Sequence, residues 1–343
     1  MKVDVNLETL PTEETFTTLD THTAGEPTRI LLDGFDPSTL EGESVRAKRD
    51  SFADRYDRVR ELLLKEPRGH DNMFGAVLVE PHADDAALGV FFMDSKGYLD
   101  MCGHGTIGVV AALVKLGQLS SDQTIQVETP AGVVEAELQY ADGGVEAVTI
   151  EMVDSFVYET VTVSVPFLDS PLEVDVVYAG NFFAMVDCQQ LEGSLETART
   201  AQFVEWGLAI REAINEELDI VHPFTDEQAQ VSITEIYESG DDADRSIVVF
   251  GNGQVDRSPC GTGTCAKMAL LHEAGKLSVG EPYAYESIIG TRFQGRLIDA
   301  SEQNGITVTT PTITGSAWIT GTHTFVKEPR DQMDGFTLYS ADE

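Results

Sequence analysis

Residues 102–119, CGHGTIGVVAALVKLGQL, and residues 260–277, CGTGTCAKMALLHEAGKL, align without a gap. Both begin Cys-Gly-x-Gly-Thr, and Ala111 lies over Ala269, Leu113 over Leu271, Gly117 over Gly275 and Leu119 over Leu277. Each stretch reads as a helix that starts after its cysteine and ends at a glycine free to take the left-handed conformation. Such a repeat in a chain of 343 residues points to two related α/β domains facing each other about an approximate two-fold axis.

The rest of the chain supplies strands around these helices. TFTTLDTHTAGEPTRILL has β-rich flanks about an expected turn at Gly25–Pro27. Residues 44–66 and 196–218 carry the spacing of amphipathic helices, the first stopped by Pro67. MFGAVLVEP and LGVFFMDSKGYLDM read as buried strands leading to Cys102. Beyond Leu119 comes a β-meander with turns at Ala131-Gly132 and Asp142-Gly143-Gly144. Strands at 231–237 and 246–250 precede Cys260.

Composition narrows the function. Asp and Glu number 59 against 22 Lys and Arg, a formal net charge of −37, with the acids dispersed along the chain. That balance opposes nucleic acid or an anionic membrane as partner. Arg outnumbers Lys, 14 to 8, and an acidic, Lys-poor chain fits a salt-accumulating, halophilic cell, where screening weakens self-repulsion. The opening MKVDVNLETLPTEETF has no basic segment before an apolar one, so no signal peptide is expected. The apolar run Val109–Val114 is too short to span a bilayer. Four cysteines, Cys102, Cys188, Cys260 and Cys265, make no disulfide scaffold in a chain this long, so a cytoplasmic protein with mostly free thiols is expected.

A thiol at a helix start is biased toward thiolate by unpaired N–H groups and the helix dipole. The neighbouring glycines let a small anion approach those N–H groups. Two such sites across a cleft would hold one carboxylate and put a sulfur on each face of the adjacent carbon. One thiolate removes a proton and the opposite thiol returns one, which inverts a stereocentre without metal or organic cofactor. Two close sulfurs cannot both ionise easily, so the pair should hold one proton and give a bell-shaped pH profile. Asp256 suits the ammonium of a zwitterionic substrate, and His104 suits either the ammonium or the carboxylate. Cys188 and Cys265 read as core.

DTHTAGEPTR, EPRGHDNMFGAV, MCGHGTIG, FGNGQVDRSPCGTGTCAKMA, YESIIGTRF and ITGSAWITG together resemble the proline racemase family over essentially the whole chain. The resemblance implies an α+β fold like that of diaminopimelate epimerase. It has two pseudo-symmetric domains, each an antiparallel sheet around a central helix, with the site between them. The expected division is residues 1–129 plus 322–343, carrying Cys102, and residues 130–321, carrying Cys260. The resemblance makes Cys102 and Cys260 the two bases and has His104 and Asp256 hold the substrate nitrogen. It places the carboxylate on the N–H groups of Gly103, His104, Gly261 and Thr262. Phe74, Phe92 and Phe250, with Phe182 or Phe183, match ring-pocket phenylalanines. It also implies no cofactor, and suggests a homodimer. Relatives that dehydrate trans-3-hydroxyproline usually lack the second cysteine, which this chain keeps. Hydroxyproline epimerases keep both cysteines, and Phe250 as an apolar wall favours proline over 4-hydroxyproline. Cys265 departs from the small hydroxyl residue usual at its position, and the acidity is not general to the family.

Two other readings compete. Gly103–Gly108 and Gly261–Ala266 both satisfy the dinucleotide pattern G-x-G-x-x-G/A of an oxidoreductase, but that pattern needs a parallel βαβ context, and an antiparallel meander is expected here. A zinc site from Cys102, His104, Cys260 and His70 lacks the spacing of a structural metal centre.

Overall fold

A computed structural model describes residues 7, 10–120 and 123–338. The first elements are β1 (Glu14–Thr23), β2 (Glu26–Asp33), α1 (Val45–Leu64), β3 (Phe74–Val79), β4 (Leu88–Asp94), β5 (Tyr98–Leu99), α2 (Gly103–Lys115), β6 (Thr124–Thr129), β7 (Gly132–Ala141) and β8 (Gly144–Glu151). Then come β9 (Ser155–Val163), β10 (Leu172–Ala179), β11 (Phe182–Asp187), α3 (Thr200–Glu217), β12 (Ile220–Val221), β13 (Gln228–Ala229), β14 (Val231–Glu238), β15 (Asp244–Phe250) and β16 (Gln254–Asp256). The chain continues through α4 (Gly261–Glu273), β17 (Pro282–Ser287), β18 (Arg292–Gln303), β19 (Ile306–Gly315) and β20 (Ala317–Lys327).

The element order repeats. In the first half α1 separates β2 from β3, which pair in parallel; in the second α3 separates β11 from β14, which also pair in parallel. A parallel pair needs such a crossover. The central helices do the same: α2 links β4 to parallel β6, and α4 links β15 to parallel β17. The remaining pairings are antiparallel, and β8 against β19 joins the halves. Each half is therefore a mostly antiparallel sheet curved around one helix.

Both central helices are largely buried, although α4 carries the buried Lys267, which pairs with Asp244. Helix α2 is buried from Gly103 to Leu113, and α4 at Gly261 and from Gly263 to Ala269. The repeat extends to their ends. Gly117 and Gly275 each have φ of 67°, and the next N–H, from Gln118 or Lys276, reaches back 2.8 Å to Leu113 O or Leu271 O. That closure satisfies carbonyls the helix end leaves unpaired.

Two stretches beside the expected boundaries at 129/130 and 321/322 pack with α2 or β1. The β7–β8 hairpin packs on α2, burying Ala136, Leu138, Val148 and Ile150 in the core around that helix, and β20 returns to the same half beside β1. Residues 1–6, 8–9, 121–122 and 339–343 of the expected first domain lie outside the described residues. The turn expected at Gly25–Pro27 lies instead at Ala24 and Gly25, both at positive φ, which makes Glu26 the first residue of β2.

Candidate active site

Helices α2 and α4 meet start to start. A Cβ built on Gly103 would lie 3.7 Å from Gly261 Cα, and one on Gly261 would lie 3.6 Å from Gly103 Cα. At Gly261 the tight neighbour is Ile313, whose Cδ1 would lie 2.9 Å from an added Cβ. Cys102 and Cys260 are the N-cap residues, and each sulfur accepts from the N–H three residues on, Gly105 or Gly263, at 3.4 Å. Thr106 and Thr264 lock the two turns alike, their hydroxyls donating to Cys102 O at 2.9 Å and Cys260 O at 2.7 Å.

The caps differ in backbone. Cys102 is extended at φ −145°, whereas Cys260 has φ 62°, a left-handed conformation that costs an L-residue about 1–3 kcal/mol. Asp256 supports the second turn. Its Oδ1 accepts from Ser258 N at 2.8 Å and Ser258 Oγ at 2.7 Å, and Ser258 Oγ accepts from Cys260 N at 3.1 Å.

Both sulfurs border one cavity of about 110 Å³, lined by Phe74, Leu99, Met101, Cys102, Gly103, His104, Asn181, Ile233, Val248, Phe250, Asp256, Cys260, Gly261 and Thr262. Pockets for drug-sized ligands run to roughly 300–1,000 Å³, so this one takes a small molecule rather than a dinucleotide. Phe74 stands edge-on to the His104 ring, with centroids 4.7 Å apart, and tilts toward Phe250 at 6.0 Å. Phe92 is buried beside the cavity rather than in its wall, filling the space that a Cβ on Gly105 would enter at 2.6 Å. Phe182 belongs to a separate aromatic core with Phe156, Tyr178 and His222, and Phe183 is buried without reaching the cavity. Strand alternation shows that these rings are buried but not in which core. The site gains Leu99, Met101, Asn181, Ile233 and Val248, which carry no sequence signal of their own. Cys188 and Cys265 are buried in the cores, and all four thiols are free. Among the described residues no group of three or more His, Cys, Asp or Glu side chains could hold a metal, and His70 lies outside the cavity wall.

Electrostatics revises the expected thiolate. Burial pushes both thiols up and outweighs the Gly105 and Gly263 N–H groups. Asp256 raises both thiols, with Glu26 and Asp94 adding at Cys102 and Glu235 at Cys260. Burial pulls the His104 imidazole down to about 3, so it is neutral, with Nδ1 3.3 Å from Cys102 Sγ. Burial also raises Asp256, to about 6.

Residues 18–337 match the family model described as proline racemase. The chain belongs to the proline racemase family. It is 38% identical over 328 residues to a proline racemase of Acetoanaerobium sticklandii, covering 93% of this chain and 97% of that one. A 4-hydroxyproline 2-epimerase of Streptosporangium roseum is 40% identical over 334 residues, covering 95% and 99%. A crystal structure of a hydroxyproline epimerase from Agrobacterium vitis, with bound trans-4-hydroxy-L-proline, superposes with a TM-score of 0.83 at 28% identity over 95% and 96% of the two chains. Family membership makes this an amino-acid racemase or epimerase, an isomerase, on the diaminopimelate epimerase-like fold. No helix among the described residues is long and apolar enough to cross a membrane.

Proposed function

We propose that the chain racemises proline by a two-base mechanism with Cys102 and Cys260 as the bases. The observation that carries the reading is that two cysteine-capped helices meet at Gly103 and Gly261 on one small cavity. The substrate carboxylate lies on the first-turn N–H groups of Gly103, His104, Gly261 and Thr262, donors that a helix leaves unpaired. Its ammonium meets Asp256, with neutral His104 beside it, and its ring meets Phe74, Phe250, Ile233 and Val248.

Burial holds both thiols protonated and the Asp256 charge adds to it; the incoming ammonium offsets that charge, so loading the site favours a thiolate. That thiolate takes the α-proton as its S–H bond forms and the C–H bond breaks. The charge left on carbon spreads into the carboxylate, where the two helix starts stabilise it. The opposite thiol then gives its proton to the other face. The proton count is unchanged and no electrons are transferred.

Asn181 favours a second reading, 4-hydroxyproline as substrate. It brings a polar amide to an otherwise largely apolar wall, and a buried hydroxyl needs such a partner. Chiral chromatography of L-proline and trans-4-hydroxy-L-proline, run side by side, tests both readings. The primary reading expects faster turnover of proline, lost in Cys102→Ser and Cys260→Ser. Faster hydroxyproline turnover that falls in Asn181→Ala, with proline turnover unaffected, would favour the second.

A further inference from the structure

The Ala24–Gly25 turn is wedged between the halves. Thr23 Oγ1 donates to His104 O at 2.8 Å, and Thr291 Oγ1 donates to Ala24 O at 2.6 Å. Glu26 follows the turn and is fully buried, with 0% exposure. Its Oε2 accepts from Arg257 N at 2.6 Å, while Oε1 has no hydrogen-bond partner. Arg257 directly follows Asp256, so the bond from its N–H sets the Glu26 carboxyl beside Asp256, whose charge raises it further after burial. Two neighbouring buried carboxyls cannot both ionise easily without a cation between them.

The surrounding groups supply little positive charge. Arg257 is the cation that acts on both carboxyls, and its Nη1 donates to Val255 O at 2.7 Å. Cys260, Cys102 and Glu235 also act with Asp256, and none is cationic. A proton held between the carboxyls removes the repulsion and gives Oε1 a partner.

We propose that Glu26 is a positioning residue for the substrate nitrogen: it holds one proton against Asp256, so that Asp256 alone faces the substrate as a carboxylate. This rests on the reading of Asp256 as the ammonium partner. Burial raises both groups, Asp256 to about 6 and Glu26 well above its ordinary range, consistent with one proton in the pair at neutral pH.

Two variants and a spectrum test the proposal. Glu26→Gln keeps a neutral donor of the same shape, so KM for proline should stay within about twofold of the intact enzyme. Glu26→Ala removes the donor to a charged acceptor, so KM should rise about tenfold or more. In that variant kcat should change less, and the acidic limb of kcat/KM should move to higher pH, because Asp256 loses the bond that stabilises its charged form. The infrared difference between intact enzyme and Glu26→Gln at neutral pH should contain a protonated carboxylic C=O band.

Equal impairment in both variants, or no such band, would overturn the proposal. If Glu26→Ala does not fold, Glu26→Gln and the infrared band decide. The infrared measurement needs no substrate, so failure of the racemase reading is distinguishable from failure of proton sharing.

Discussion

Gly261→Ala probes the contact that brings the two helix starts together. Gly261 lies in a helix and not at positive φ, so its backbone accepts alanine. The obstacle is space. The new Cβ would lie 2.9 Å from Ile313 Cδ1 and 3.3 Å from Met152 Cε. Carbon contacts are comfortable from about 3.5 Å, so Ile313 must retreat by roughly 0.6 Å. Ile313 is fully buried at 0% exposure and has nowhere free to go.

Overpacking of this kind costs about 1–3 kcal/mol, partly offset by up to about 1 kcal/mol from better helix propensity. Activity should suffer by a comparable free energy. Parting the two halves of a site by a fraction of an ångström loses about tenfold in kcat/KM, given that about 1 Å can cost 10²-fold. At Gly103 the corresponding distances are 3.4 Å and 3.5 Å, so Gly103→Ala should be much milder. Ile313→Val removes the obstructing Cδ1 and should partly rescue Gly261→Ala, with a coupling of about 1 kcal/mol in a double-mutant cycle. Denaturant unfolding and racemisation rates measure both effects. Equal behaviour of Gly103→Ala and Gly261→Ala, or additivity with Ile313→Val, would refute the steric argument.

Gly117→Ala and Gly275→Ala meet no atom within 4 Å but force alanine to φ 67°, so each should lose about 1–2 kcal/mol, by nearly equal amounts. Unequal losses in thermal unfolding would contradict the equivalence of the two helix ends. Burial raises Glu235 from 4.5 to about 8 against the Tyr285 hydroxyl and Lys267. The folded chain therefore keeps a proton that the unfolded chain gives up across that range, and stability present below the lower value is lost as pH rises toward the upper. Relative to Glu235→Gln, the intact protein should lose a few kcal/mol between about pH 5 and about pH 8, and identical pH slopes would contradict this. With a net charge of −37, the unfolding midpoint should rise with KCl toward molar concentrations, where the Debye length is about 3 Å. A midpoint indifferent to salt would remove the halophilic reading.

The paired helix starts were legible because a cap, a glycine pattern and a left-handed stop are local, and the repeat doubled the signal. Helices α1 and α3 were legible from their spacing for the same reason. What escaped depends on partners remote in sequence. The β7–β8 hairpin alternates in the same way whichever helix it covers, so its place around α2 could not be read. Phe92 and Phe182 were visibly buried residues, but strand alternation does not say which core receives a ring. Glu26 is an ordinary acid until the Ala24–Gly25 turn delivers it to Asp256, about two hundred and thirty positions away. The opposing pull on the thiols was hidden for a related reason. Helix starts favour thiolates, but burial and the carboxyls of Glu26, Asp256 and Glu235 are tertiary facts that push the other way.

The central claim is that two thiols act from opposite faces of one carbon. L-Proline turned over in D₂O, sampled at early times by NMR and chiral separation, tests it most directly. Two bases should place deuterium at the α-carbon of the D-proline formed while recovered L-proline keeps its proton, and either Cys102→Ser or Cys260→Ser should abolish racemisation. Deuterium appearing equally in recovered L-proline, or racemisation surviving in either variant, would contradict the two-thiol mechanism.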